Sequence, residues 1–399
     1  MNLSLSIGIG RGAKTLREAQ DMAVQALDMA QGRGGDQAAE MTPDGFTFYG
    51  GVSHGVEKRS KVRSRIVADQ LVKLIKEADH VVIMGHRMSD LDAIGSAEGV
   101  LRICKICDVP AVIAVKRDAT LAGSLIDALC RAGQRDDFID PKEALPIISK
   151  QTLCVVVDTY QVGLVESKEI LEKCGKVAVI DHHRKGVGYI QNPDLVCHEP
   201  YSSSASELVT ELLQYVGDRD DKPNRVEAEG LLSGIMLDTQ DFTLHTGVRT
   251  FEAAAALRRY GAETERVRQL FDVTMTEYNA KADLVEKAQM YKNCAISVGG
   301  EIAPEARVAI AQAANDLLRI QGVDASFVAV QVGGGVNISA RSLGAVNVQV
   351  IMESLGGGGH QTMAAAQLKH ITPEAARSRI ETAIDNYWAS QKKSSAAEK

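Results

Sequence analysis

Val177-Ala178-Val179-Ile180-Asp181-His182-His183 decides how this chain reads. Four apolar residues in a row, bounded by polar ones, form a strand buried on both faces. An acid and two imidazoles at its end make a poor core but a good metal or phosphate site. Basic Arg184-Lys185 follows. Three more apolar runs end in the same way. His86-Arg87-Met88-Ser89-Asp90-Leu91-Asp92 follows Val81-Val82-Ile83-Met84. Asp158 closes Leu153-Cys154-Val155-Val156-Val157, and Asp238 follows Leu231-Leu232-Ser233-Gly234-Ile235-Met236-Leu237. Carboxylates and imidazoles therefore sit at the C-terminal ends of separate elements, where open α/β sheets bind ligands. The pattern calls for divalent metal ions and suggests hydrolysis.

Outward from these runs, residues 80–250 alternate strand and helix, which implies an α/β, doubly wound, mostly parallel sheet. Residues 290–388 read as a second, smaller α/β unit, with strands around Cys294–Val298, Ser326–Val332, Gly335–Arg341 and Ala364–Leu368. Residues 251–289 read as a helical linker, 51–79 as a connecting helix and 389–399 as a disordered tail. Residues 1–50 hold one helix and two strands, too little to close a core. Thr15 is placed to cap that helix. Gly333-Gly334-Gly335 reads as a hairpin turn.

The 399 residues are 45% hydrophobic and 24% charged, ordinary for a globular protein, with only 4% aromatic. A formal net charge of −7 offers no overall field for long nucleic acid, so a nucleotide substrate needs a local basic pocket. The seven cysteines show no disulfide framework, and Cys104-Lys105-Ile106-Cys107 reads as helix packing. Their scatter fits a reducing cytoplasm. No apolar stretch reaches the roughly 18 residues needed to span a bilayer, so no membrane contact is expected of this chain.

The chemistry rests on His86, Asp90, Asp92, Asp158, His182 and Asp238 as metal ligands. Asp92 can sit at its helix N-terminus, where backbone amides favour an anion. Two hard cations about 3.5–4 Å apart suit such a set, and one shared carboxylate must bridge them. Asp158 is placed for that because its strand should be central. Mixed imidazole and carboxylate ligation favours Mn²⁺ over Ca²⁺ or Mg²⁺. Asp181 is placed to fix an imidazole tautomer. His183 can ligate or face the substrate, and the second role is favoured. Near the C-terminus, the amides of Gly356-Gly357-Gly358-Gly359 can approach an anion, with Arg341, Ser342 and His360 completing a phosphate pocket. Tyr201-Ser202-Ser203-Ser204-Ala205-Ser206-Glu207 opens a helix. One serine caps it, and the others, Ser203 among them, can line a phosphate path. His54, His80, His198, His245 and His370 lack matching partners and read as surface or packing residues.

Together these motifs resemble the DHH phosphoesterase superfamily over roughly residues 80–388. His86-x3-Asp90-x-Asp92, Asp158, Asp181-His182-His183 and Asp238 match its four metal motifs, and Gly356–His360 matches the glycine motif of the DHH-associated domain. The resemblance puts His86, Asp90 and Asp158 on one metal. It puts Asp92, Asp158, His182 and Asp238 on the other, and turns His183, Arg341 and His360 to the phosphodiester. Residues 5–36 resemble the C-terminal end of a GGDEF domain whose signature loop is absent, so no cyclase activity is expected. Within the superfamily the chain is similar to GdpP/YybT-type cyclic-di-AMP phosphodiesterases. The implied reaction is metal-dependent hydrolysis of cyclic di-AMP to 5′-pApA, with two Mn²⁺ ions as cofactors and a cyclic dinucleotide as partner. An oligoribonuclease, a pyrophosphatase and a non-enzymatic nucleotide sensor are the rivals. A homodimer is allowed. The expected location is cytoplasmic, with a full-length parent anchored by upstream helices.

Overall fold

Short β-branched runs build the sheet that carries the chemistry. Its strands are β1 (Val81–Met84), β2 (Ala111–Ala114), β3 (Phe138–Ile139), β4 (Leu153–Val157), β5 (Lys176–Asp181) and β6 (Leu195–His198). All neighbours pair in parallel, in the spatial order β3-β2-β1-β4-β5-β6. The order reverses between β1 and β4, so their C-terminal ends flank the crevice where such sheets bind ligands. Alternate residues feed two cores. Val81, Ile83, Val155, Val157 and Ile180 join one, while Val82, Met84, Cys154, Val156 and Val179 join the other. Both faces are covered, as expected of a doubly wound sheet. The first core is closed by α1 (Leu91–Ile106), α2 (Ala205–Leu213) and α3 (Arg225–Asp238).

The computed structural model describes residues 5–32, 35–43, 45–50, 61–183, 188–218, 221–302, 308–359 and 362–397. It divides into two units, Met1–Phe271 and Asp272–Lys399. The expected linker 251–289 is helical and is divided at Phe271. The helix α4 (Val248–Arg259) and the helix Thr264–Gln269 lie in the first unit, and Met275–Glu286 lies in the second. The connecting helix runs Lys61–Glu77, and residues 57–60 of that reading lie outside the described residues.

At the N-terminus, the helix Leu16–Gly32 covers three strands, not two. The added strand, Gln37–Thr42, has one β-branched residue and gives little strand signal. Thr15 Oγ1 accepts from Glu18 N at 3.1 Å, the expected cap. The cluster beneath is small: Ala26, Ala30 and Ala39.

In the second unit the strands are β7 (Gln289–Tyr291), β8 (Cys294–Glu301), β9 (Ala325–Val332), β10 (Gly335–Ser342), β11 (Gly358–Gly359) and β12 (Met363–Lys369), in the order β7-β8-β9-β10-β12-β11. Only β8 and β9 run parallel. Val332 pairs with Gly335, so Gly333-Gly334 is the expected hairpin turn. Helices α5 (Val348–Ser354) and α6 (Pro373–Ala397) pack on one face. The α6 helix continues through the segment read as a disordered tail. No glycine or proline interrupts Glu374–Ala397, and Ala, Lys and Gln favour helix. Among the described residues, no helix is long and apolar enough to cross a membrane.

Candidate metal centre

Backbone bonds fix His86, Asp90 and Asp92 of the centre. After β1, the segment Gly85–Arg87 pairs with the loop that follows β4. Arg87 N donates to the Leu164 carbonyl at 2.8 Å and Glu166 N to the Gly85 carbonyl at 3.0 Å, which fixes His86. Asp90, not Asp92, caps α1. Its Oδ1 accepts from Asp92 N at 3.0 Å and from Ala93 N at 3.1 Å. Asp92 lies in the first turn of α1, at the helix N-terminus as expected. Its carboxylate is held by another helix. Oδ2 accepts from Ala205 N at 2.7 Å and Oδ1 from Ser206 N at 2.8 Å, the first amides of α2. A Cβ on Gly234 would come within 2.6 Å of Asp92 Oδ1, so glycine lets α3 approach. Asp158 follows β4 with φ 56, a left-handed conformation that Asp tolerates better than most residues. Asp238 is the last residue of α3.

These side chains converge. His86 Nε2 lies 3.4 Å from Asp158 Oδ2 and 3.8 Å from Asp90 Oδ2. His182 Nε2 lies 3.4 Å from Asp158 Oδ1, 3.0 Å from Asp238 Oδ2 and 3.9 Å from Asp92 Oδ2. The two oxygens of Asp158 thus face two different donor sets. In each set, His86/Asp90/Asp158 and Asp92/Asp158/His182/Asp238, the candidate ligand atoms lie within 4.8 Å of one another. A third grouping adds His183 to Asp158 and His182. His183 Nδ1 is 2.8 Å from Asp181 Oδ1.

Four aspartates outnumber two imidazoles in the two main sets. Burial opposes charge on His86, yet the Asp158 and Asp90 carboxylates outweigh it and push it up to about 12. Burial also opposes charge on Asp158, and the His182 and His86 rings overcome it and hold the carboxyl below its usual range. Asp92 is driven well above it by burial, then by the Asp158 and Asp238 charges. Asp158 Oδ1 and His182 Nε2 are buried without a hydrogen-bond partner, despite their short separations. Excess negative charge and orphaned donors on one spot fit divalent cations.

Three family models match the chain. The model described as DHH family, N-terminal domain covers residues 80–235, the DHHA1 domain covers 303–389, and a GGDEF domain described as cyclic-di-AMP phosphodiesterase GdpP-like covers 1–45. This chain carries a DHH domain and a DHHA1 domain. Its DHH and DHHA1 domains follow a GdpP-like GGDEF fragment. Over 97% of its length it is 45% identical to the cyclic-di-AMP phosphodiesterase GdpP of Geobacillus thermodenitrificans, covering 59% of that protein. It is 43% identical, also over 97%, to the cyclic-di-AMP phosphodiesterase PdeA of Listeria monocytogenes, covering 60% of it. The chain therefore spans about three-fifths of these curated relatives. An exopolyphosphatase-related protein from Bacteroides fragilis shares the fold, with TM-score 0.69 and 21% identity over 81% of this chain and 96% of that one.

The DHH domain holds residues that the sequence did not single out. His198, on β6, donates from Nε2 to the His183 carbonyl at 2.5 Å, so it has a partner after all. A carbonyl partner leaves no trace in side-chain pattern. Gln240, Asp241 and Phe242, two to four residues after Asp238, all have positive φ. Ser203 does not line an open path: it is buried, and its hydroxyl donates to Glu207 Oε2 at 2.6 Å.

In the DHHA1 domain, Arg341 lies on β10. Its Nη1 donates to Ser339 Oγ at 3.0 Å and to the Ala340 carbonyl at 2.9 Å, while Nε is buried without a partner. Burial lowers it to about 10, and no carboxylate among the described residues offsets its charge. Ser342 is buried and its Oγ accepts from Gly344 N at 3.0 Å. Gly356 N and Gly357 N donate to the Glu353 and Met352 carbonyls, at 3.0 and 2.9 Å. Those two amides close α5, contrary to the expectation that they cradle an anion. Gly358 and Gly359 pair with Ala365 and Ala364. His360 lies outside the described residues.

Proposed function

We propose that this chain is a two-metal phosphodiesterase that hydrolyses cyclic di-AMP to 5′-pApA. The single observation that carries the reading is Asp158, whose two oxygens face two separate donor sets. The names of the relatives from Geobacillus and Listeria support the substrate. His86, Asp90 and Asp158 would hold one ion; Asp92, Asp158, His182 and Asp238 would hold the other. Two divalent ions, Mn²⁺ foremost, supply Lewis acidity and a lowered water pKa at such a centre.

The remaining work falls to the chain's own groups. Asp181 accepts from His183 Nδ1, which holds that proton and turns the ring's other nitrogen toward the phosphodiester. His198 holds the His183 backbone, so the ring turns on a fixed base. Arg341 supplies an uncompensated cation for phosphate oxygens. His360 and Ser342 complete the substrate set in this reading. The first unit is cytoplasmic in this reading, and a homodimer is compatible with it.

The test offers purified protein with Mn²⁺ four substrates side by side: cyclic di-AMP, cyclic di-GMP, pApA and pyrophosphate. The expected outcome is fastest loss of cyclic di-AMP with pApA accumulating. A cyclic dinucleotide presents both phosphates already ordered, whereas linear pApA must be ordered first. Faster consumption of pApA than of cyclic di-AMP would make the chain an oligoribonuclease.

A further inference from the structure

Glu207 is buried, only 2% exposed, and belongs to neither donor set of the metal centre. It sits in the first turn of α2 and gathers at least four donors. Ser202 Oγ donates to Oε1 at 2.8 Å. Oε2 accepts from Ser203 Oγ at 2.6 Å, Ser203 N at 3.2 Å and Thr250 Oγ1 at 2.7 Å. Its own amide donates to Ser204 Oγ at 3.0 Å, so Ser204 alone already caps the helix. A buried carboxylate is costly, and the helix start does not require one. Its use lies in the backbone that it pins. The two amides after Ser204, those of Ala205 and Ser206, grip the two oxygens of fully buried Asp92.

We propose that Glu207 is a positioning residue of the metal centre. By tying Ser202, Ser203 and Thr250 together it aims the first amides of α2, and those amides fix the Asp92 carboxylate for the second donor set. Groups one step behind a ligand, here the Ala205 and Ser206 amides, typically change metal affinity about 10–100-fold, and Glu207 acts through them. The effect is selective. His86 and Asp90 are held by other segments, so the first donor set does not depend on Glu207. Thr250 is the first-turn residue of α4, which makes the position of that helix part of the same lock.

This inference rests on the metal reading above, and the experiment separates the two. Metal-free protein is titrated with Mn²⁺ by calorimetry, beside Asp92→Asn, Glu207→Ala, Glu207→Gln and Ser203→Ala. Wild type is expected to bind two ions. Glu207→Ala is expected to weaken one of them about 10–100-fold, the ion that Asp92→Asn also weakens, and to leave the other within about twofold. Glu207→Gln keeps the shape and part of the acceptor set, so it should recover part of the loss. Should Glu207→Ala fail to fold, Glu207→Gln and Ser203→Ala carry the test, each weakening that ion by a smaller factor. Folded variants that bind both ions as wild type does, or lose both equally, would overturn the positioning role. A wild-type chain that takes up no Mn²⁺ would overturn the metal reading, and the role of Glu207 with it.

Discussion

Asp158 combines an unusual backbone with an unusual charge. Its φ is 56, and its carboxylate faces two donor sets. Asp158→Asn keeps a side chain that tolerates the left-handed region and removes only the charge. One transition-state donor is worth on the order of 10²–10³ in rate, and a ligand shared by two ions should be worth more. Turnover should fall by at least that factor and bound metal by at least one ion, with an unchanged far-ultraviolet spectrum. A variant with two ions and near-normal turnover would end the bridging assignment. A second buried acid lies away from the centre. Burial, then the Glu227 charge, pushes Glu98 up to about 8 from its ordinary 4.5. The unfolded chain loses this proton near 4.5, and the folded chain keeps it to about 8. Stability should therefore fall as pH rises through that window and level off above it. Glu98→Gln should flatten the slope in urea midpoints measured from about pH 5 to 8; parallel curves would clear Glu98 of the effect. At this scale the aspartates and histidines were legible because a strand-end acid beside an imidazole has few structural uses. Their holders were not. Asp92 is gripped by backbone amides 113 and 114 residues away, and amides carry no sequence signature.

Elements were legible where an apolar run was long enough to show its period. The runs forming β1, β4 and β5 are buried throughout or nearly so, and they read as strands without ambiguity. Phe138–Ile139 has only two residues, and in Leu195–His198 the apolar run is three residues long, between Asp194 and His198, shorter than the four of β1. The glycine run 356–359 shows the reverse difficulty, because four identical residues carry equal weight in sequence and the fold treats them differently. A Cβ on Gly357 would lie 2.1 Å from the Ala365 carbonyl oxygen, while one on Gly358 would meet nothing within 4 Å. Gly357→Ala must push β12 away and should lower the melting temperature, with a cost of about 1–3 kcal/mol as for other overpacked sites. Gly358→Ala should leave it within about 1 °C, since surface changes away from special features are usually within about 0.5 kcal/mol. Thermal scans of the two single variants decide it, and equal shifts would mean that the close approach at Gly357 is not what selects glycine.

On the scale of the whole molecule, the metal donors all lie in the first unit, and Arg341 lies in the second. The sequence had already divided these roles, because acids and imidazoles cluster before residue 250 and the arginine and glycine run come after 340. It could not place the boundary. Residues 251–289 read as a helical linker, and only packing assigns Val267 to a core of the first unit and Leu284 to a core of the second unit. The division makes a prediction that a single mixed site would not. Arg341 carries a buried, uncompensated charge with an unpartnered Nε. A cation kept in that state is costly without an anion to meet it, and phosphate oxygens provide one. Arg341→Ala should therefore leave the bound metal count unchanged, raise KM for cyclic di-AMP and lower kcat/KM by about 10–200-fold, the range for losing one charge-assisted contact of about 1.5–3 kcal/mol. Removing an unpaired buried cation should also hold or raise the melting temperature of the substrate-free protein, which loss of a merely structural arginine would not do. Metal analysis, steady-state kinetics and a thermal scan on one preparation test all three. If the Arg341→Ala variant loses an ion, or melts well below wild type with KM unchanged, the charge serves the fold and not the phosphate.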